Sequence, residues 1–475
     1  MMILMTIIFI VGYVFIAFEH TLKVNKAATA LIMGILLWTI YITMDYSVVP
    51  LLNGESFNKF VAEGGYENST LAQQCISYIA NFELPAALAN VSSTLFFLLG
   101  AMTIVEMIDV HGGFAIITNH VTSKNKTRLL WIIGGLTFFM SSVLDNMTTA
   151  IVMIMMVRRL VYNYKERWVF AGIIIIAANS GGAWSPIGDI TTILLWMSNN
   201  ITATHIIPSL FIPSAISTIV PIFIASRMLA GNVVCNMEVD DKNGIDEIVT
   251  KKERISILIL GVGCLLFVPV FKTVTHLPPY MGMLLALAIM WIYTELLYRR
   301  IDVQEKLKQR VPRAIKRIDI PTILFFLGLL LAVDALEQIG ALTIAATFLE
   351  THFGNIYAIN TVIGLLSSIV DNVPLVAAAI SMYPIATDAS IAASANPEFI
   401  SHFVTDGAFW DMLAYCAGTG GSILIIGSVA GVVVMGIEKI NFMWYLKNIS
   451  PMAIFGYFAG ILAFMLQYFL INGTL

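Results

Sequence analysis

Two short acidic stretches stand out from an otherwise greasy chain. Ser141-Ser142-Val143-Leu144-Asp145-Asn146-Met147-Thr148-Thr149 lies inside the apolar run 129–157. Ser367-Ser368-Ile369-Val370-Asp371-Asn372-Val373-Pro374 lies inside the run 355–383, 226 positions on (145 to 371). An ionised carboxylate at bilayer depth is costly, and one kept there marks a functional site by default. Asp145, Asn146, Asp371 and Asn372 offer hard oxygen ligands. Ser142, Thr148, Thr149, Ser367 and Ser368 add hydroxyls. Unwound turns would add backbone carbonyls and the negative ends of half-helix dipoles. Such a set suits a small cation. Helix capping by Asp-Asn explains one such pair, but it does not explain two in matching places.

A second constellation interrupts the run 168–198: Asn179-Ser180-Gly181-Gly182-Ala183-Trp184-Ser185-Pro186-Ile187-Gly188-Asp189. Pro186 removes a backbone donor and the paired glycines permit unwinding. Thr419-Gly420-Gly421-Ser422 interrupts the run 408–437 in the same way. In lipid, irregular backbone survives only against protein or a water cavity. Asn179, Ser180, Thr419 and Ser422 therefore join the candidate cation and proton ligands. Asp189, Thr191 and Thr192 follow the first break and are assigned to the pathway or a gate. The position matching Asp189 is Ser428, so the breaks are not chemically identical. Glu106 and Asp334 also match, but near span ends. Snorkelling is cheap there, and they are read as interface residues.

The elements that must position these groups follow from composition and charge. The 475 residues are 58% hydrophobic and 12% charged, against about 25% charged in soluble domains. Runs such as Met2–Phe18 and Ile207–Ala225 identify a polytopic membrane protein. Lys and Arg mark the cytoplasmic side. Lys124, Lys126 and Arg128 precede the run 129–157, and Arg158, Arg159, Lys165 and Arg167 follow it. It therefore enters and leaves on one side. As one helix it would be about 43 Å long, against an apolar core of about 30 Å. Folded at Asp145, each arm reaches about 20 Å.

Between Arg317 and Lys439 no Lys or Arg appears, so 355–383 is a hairpin entering from the opposite side. The stretch 44–91, with Asp45, Glu55, Glu63, Glu67 and Glu83 against Lys59, is placed outside and given an in-plane helix near 71–89. The predicted fold is an all-α polytopic membrane protein. It has two inverted repeats of five spans plus one re-entrant hairpin each, with Gly-broken helices at the midplane. Residues 1–226 form the first repeat, 227–254 a cytoplasmic linker and 255–475 the second repeat, with both termini outside. Further letters agree. Leu99-Gly100 and Gly112 match Leu327-Gly328 and Gly340, and Ser180-Gly181-Gly182 and Gly188 match Thr419-Gly420-Gly421 and Gly427. Inverted repeats with broken helices are the build of secondary transporters.

Other chemistries find little support. The four cysteines are scattered without CxxC, and the seven histidines show no HExxH. Walker A is absent, and no cofactor is expected. No basic domain suggests nucleic acid, so the expected partner is the lipid bilayer. A homodimer is an expectation by analogy with this architecture. The N-terminus lacks a basic n-region and reads as a retained span, which favours the bacterial cytoplasmic (inner) membrane.

Five motifs carry a family resemblance. They are Phe96-Phe97-Leu98-Leu99-Gly100-Ala101-Met102-Thr103-Ile104-Val105-Glu106, the Ser142–Asn146 stretch, the Ala177–Asp189 stretch, the Ile369–Ala378 stretch and Cys416-Ala417-Gly418-Thr419-Gly420-Gly421-Ser422. In these the chain resembles the NhaD-type sodium/proton antiporters, part of the wider ion-transporter group with two inverted hairpin repeats. The resemblance covers about 92–465. It implies export of Na⁺ or Li⁺ in exchange for H⁺, all transported ions. It points to Asp145, Asn146, Asn179, Asp189, Thr191, Thr192, Ser367, Asp371, Asn372 and Ser422. The chain departs at Ser180 and Ser185, where relatives often have Ala and Thr.

Two carboxyls sharing an apolar site do not both stay ionised cheaply, so Na⁺ at Asp145 and Asp371 is expected to compete with a proton. A dicarboxylate or arsenite carrier on the same fold is the nearest rival, and Asp at both tips would repel its anion. An intramembrane aspartyl protease also needs two buried Asp, but its Tyr-Asp and Gly-x-Gly-Asp signatures are absent. The chain is read as a transporter, not an enzyme.

Overall fold

The computed structural model describes residues 2–17, 23–43, 46, 49–50, 54–118, 123, 125–229, 231–232, 250–300, 314, 316–369, 371–394 and 396–472. Most of the linker 227–254 lies outside them. Among the described residues the regular structure is helical, with one isolated bridge between Asn125 and Asn232. Six helices are long and apolar enough to cross a membrane: Leu71–Val110, Ala203–Ser226, Lys251–Thr275, Pro279–Leu297, Ile320–Gln338 and Ser450–Ile471. Their outward faces carry Ile259, Leu266, Leu462 and Leu466, side chains that hydrocarbon accepts and water does not. The protein is an all-α polytopic membrane protein.

The chain forms two compact units, each drawing on both halves of the sequence. The first comprises Met1–Leu98, Asp319–Gly354 and Ala377–Pro384, and the second comprises the remainder. In the first unit, helix Lys26–Ile42 packs along helix Ile320–Gln338. Glycines set the closeness. A Cβ on Gly34 would strike the Gly328 carbonyl, and one on Gly328 would strike the backbone of Ala30 and Leu31. Three to four residues further along both helices, Trp38 Nε1 donates to the Leu331 carbonyl at 2.9 Å. Contacts advance together along the two helices, so they run parallel.

The helix expected to lie in-plane near 71–89 is the start of a longer one. Leu71–Tyr78 passes through a π-helical turn, Ile79–Glu83, into Leu84–Val110. Its 40 residues span about 60 Å at 1.5 Å each. Glu83 is thereby corrected: it is no surface-loop charge but is 6% exposed inside this helix. Packing around the π-helical turn hides a carboxylate that charge counting had assigned to solvent.

The second unit holds the interrupted segments. Helix Lys126–Ser141 ends one turn before helix Asn146–Leu160. Helix Ile356–Leu366 is followed by Asn372–Met382. Tyr164–Ala183 stops at Trp184 and resumes as Ile190–Met197. Ala408–Gly420 stops at Gly421, resumes as Val429–Glu438 and then bends by 116° into Phe442–Asn448.

The same contacts hold both sets. Ser141 Oγ donates to the Ala178 carbonyl at 2.6 Å, and Ser367 Oγ to the Ala417 carbonyl at 2.7 Å. A Cβ on Gly182 would meet the Gly188 carbonyl, as one on Gly421 would meet that of Gly427. These equivalences use the offsets read from the letters, 141 to 367 and 178 to 417.

At one end of this unit Glu438 ties three helix ends together. Arg167 Nε donates to its Oε2 at 2.8 Å, and Arg158 Nε lies 3.3 Å from Oε1. The Glu438 side chain is 1% exposed, whereas those of Arg167 and Arg158 are 17% and 46% exposed. Removing one partner of a buried pair costs about 3–5 kcal/mol. Solvent screening of the two arginines reduces this to about 2 kcal/mol. Glu438→Gln is therefore expected to lower the thermal denaturation midpoint of the solubilised protein. An unchanged midpoint would show that the clamp is not structural.

Candidate ion-binding site

Asp189 is the meeting point of the second unit. It is 1% exposed and caps helix Ile190–Met197. Thr191 donates to its Oδ1 through both backbone N and Oγ1, each at 2.9 Å. Asn146 Nδ2, from the turn between two apolar arms, donates to Asp189 Oδ2 at 2.5 Å and to Asn179 Oδ1 at 3.1 Å. Asn372 Nδ2, from the matching turn, reaches Asp189 Oδ1 at 3.5 Å. Asn179 Nδ2 donates onward to Ser428 Oγ at 3.0 Å, and Ser428 caps Val429–Glu438 by accepting from Gly431 N at 3.2 Å. Both turns and both breaks thus converge on one hydrogen-bonded net.

Asp145 is partly exposed and caps Asn146–Leu160. Its oxygens accept from Thr148 N at 2.8 Å and Thr148 Oγ1 at 2.5 Å. Asp371 is also partly exposed and immediately precedes helix Asn372–Met382. Both carboxylates lie close enough to Asp189 to bear on its charge. All three sit at helix N-termini, where the dipole offsets negative charge. Among the described residues, no three His, Cys, Asp or Glu side chains are near enough to hold a metal ion by themselves. Amides, hydroxyls and backbone carbonyls would have to complete any cation's shell.

Several hydroxyls singled out in the sequence lie outside the Asp189 net. Thr419 Oγ1 donates to the Tyr415 carbonyl, Ser422 Oγ to the Thr419 carbonyl and Thr192 Oγ1 to the Asp189 carbonyl, at 2.6, 2.6 and 2.9 Å. Ser367 is spent on Ala417, and Ser180 Oγ accepts from Ser217 Oγ at 2.8 Å. A hydroxyl that has given its proton to a carbonyl still has oxygen lone pairs for a cation.

Comparison with known proteins places this geometry in a family. Residues 13–401 match the citrate transporter family. The chain is 40% identical over 466 residues to sodium/proton antiporter 1 of Arabidopsis thaliana, covering 97% of this chain and 72% of that one. It is 40% identical over 462 residues to sodium/proton antiporter 2 of the same plant, covering 97% and 98%. Against Na⁺/H⁺ antiporter NhaD of Vibrio cholerae it is 28% identical over 487 residues, covering 97% and 90%. The chain belongs to the citrate transporter family, among its NhaD-type sodium/proton antiporters.

Four of the five motifs that carry the NhaD-type resemblance are gathered here: two Asp-Asn turns and two glycine breaks. Asp189, assigned to the pathway or gate from sequence, is where the amides of both turns meet. Ser428 was recognisable only as the position matching Asp189, because a lone membrane serine carries no signal of its own. Tyr445, whose hydroxyl donates to the Ser422 carbonyl at 2.8 Å, steadies the second break from a helix that sequence periodicity does not connect to it.

Proposed function

We propose that this protein is a secondary active transporter that exchanges Na⁺, and also Li⁺, for H⁺. The cation and the proton compete for Asp189, Asp145 and Asp371. The observation that carries this reading is the convergence of Asn146, Asn372 and Thr191 on the buried Asp189 carboxylate. Three carboxylates give an anionic site, and the amides orient it. A monovalent cation offsets one of those charges as a proton does, so loading one favours release of the other. Alternate exposure of the site to the two sides then couples their movements.

The citrate reading follows the name of the family model. A tricarboxylate would have to displace or protonate the same carboxylates, because the groups touching Asp189 are two amides and a threonine. The purified protein in vesicles with an imposed pH gradient tests both. Na⁺ and Li⁺ are expected to dequench a pH-sensitive dye, while K⁺ and citrate do not. Citrate-driven dequenching without a Na⁺ response would overturn the proposal. The charge pattern further supports both termini lying outside. A C-terminal phosphatase fusion, active only when exported, is then expected to be active.

A further inference from the structure

The helix that starts at Asp189 meets a lysine at its far end. Helix Ile190–Met197 begins at the Asp189 cap. Near its C-terminal end, Lys272 Nζ donates to the Trp196 carbonyl at 3.2 Å and to Asn199 Oδ1 at 3.0 Å. The ammonium also lies over the Trp196 ring, 5.2 Å from its centroid. Lys272 comes from the last turn of a separate helix, Lys251–Thr275, so tertiary packing delivers it. The loop that receives it is held in turn. Asn199 takes a left-handed φ of 61°, and its carbonyl accepts from Thr405 Oγ1 at 3.0 Å. The Asn200 carbonyl accepts from Asp406 N at 2.9 Å. Both acceptors of the ammonium are neutral, and among the described residues no carboxylate is paired with it.

The helix after the second break is finished differently. Val429–Glu438 begins at Ser428, which is neutral, and its last carbonyl accepts from the neutral Trp168 Nε1 at 3.1 Å. The two arginines nearby are spent on the Glu438 carboxylate. A cation is favoured at any helix C-terminus, but a neutral donor serves as well for capping, as Trp168 shows. Of these two half-helices, the one that starts from a carboxylate is the one that ends on an ammonium. Seven residues separate Asp189 from Trp196 (189 to 196), about 10 Å of helix. Two unit charges about 12 Å apart change binding by about twofold in water and about tenfold at an effective dielectric of about 20. Lys272 is partly exposed, which places the effect between those limits.

We propose that Lys272 is a positioning residue for the exchange, and that its charge weakens cation binding at Asp189 enough for the ion to leave. This rests on the exchange reading above. A transported ion must bind strongly enough to enter and weakly enough to depart. The ammonium, fixed at the end of the helix, repels a cation loaded at its start.

Initial rates of Na⁺-driven dequenching test it, measured across Na⁺ concentrations at alkaline pH and low ionic strength with the full-length protein in vesicles. Lys272→Gln keeps a donor and removes the charge. Asn199→Asp leaves Lys272 in place and pairs its charge, and aspartate tolerates the left-handed backbone there. Both are expected to lower the KM for Na⁺ about threefold, and the maximum rate with it. Lys272→Arg keeps the wild-type KM. Raising ionic strength with choline chloride draws variants and wild type together, because salt screens a partly exposed charge. A helix merely loosened at its end would behave oppositely, with a raised KM insensitive to salt. A KM unchanged or raised in either variant that folds overturns the proposal, as does a Lys272→Arg KM that falls with the others. If wild type gives no Na⁺ response, the exchange reading fails. If wild type responds and the variants match it, this inference alone fails.

Discussion

Asp189→Asn is expected to lower Na⁺-dependent proton movement on the order of 100-fold. The substitution keeps size and shape, so packing around the break is preserved. It removes the one fully buried charge to which Asn146, Asn372 and Thr191 all donate. Hydrogen bonds to a charged group contribute about 1.5–3 kcal/mol each, and about 1.4 kcal/mol is tenfold in affinity. An amide also brings an N–H that opposes the Nδ2 of Asn146. Asp145→Asn is expected to cost less, because Asp145 is partly exposed and two of its contacts are spent on Thr148. Initial dequenching rates at varied Na⁺ would rank the variants. Full activity in Asp189→Asn, with loss in Asp145→Asn, would move the ion from the break to the tip.

The sequence showed where the unusual residues are far better than which of them meet. Asp145 and Asp371 were conspicuous because a carboxylate inside an apolar run contrasts with its neighbours. The paired glycines were conspicuous for the same reason. Distance is another matter. Three aspartates at 145, 189 and 371 can be arranged around any one of them, and only the path of the turns makes Asp189 the hub. Ser428 was hidden because serine is ordinary in membrane helices. Glu83 was misplaced because charge counting treats a stretch as loop until tertiary packing defines its helix, and the π-turn that buries it leaves no periodic trace. Asp334 was read with Glu106 as an interfacial acid because both lie near span ends, yet among the described residues Arg317 faces Glu106 and is not among the groups acting on Asp334.

The glycine breaks make the second strong prediction. A Cβ on Gly420 would run into the Gly364 carbonyl, and one on Gly181 into the Phe138 carbonyl. Both obstacles are backbone, which cannot swing aside as a side chain can. Overpacking of this kind costs about 1–3 kcal/mol. The cost in function is expected to be larger than the cost in stability. Each contact lies one turn from the serine bond that seats the same helix, Ser367 to Ala417 and Ser141 to Ala178. A shift of about 1 Å carries Asn179 away from Asn146 at the first break and Ser428 away from Asn179 at the second, and hydrogen bonds weaken steeply with such displacement. Gly436→Ala is the matched control, since a Cβ there meets nothing within 4 Å. In a helix, alanine is favoured over glycine by about 1 kcal/mol, so its midpoint should hold or rise. Gly420→Ala and Gly181→Ala are expected to lower the thermal midpoint and nearly abolish Na⁺-driven dequenching, while Gly436→Ala preserves both. If all three behave alike, close backbone contact does not set the geometry around Asp189, and side-chain hydrogen bonds alone must hold the site together.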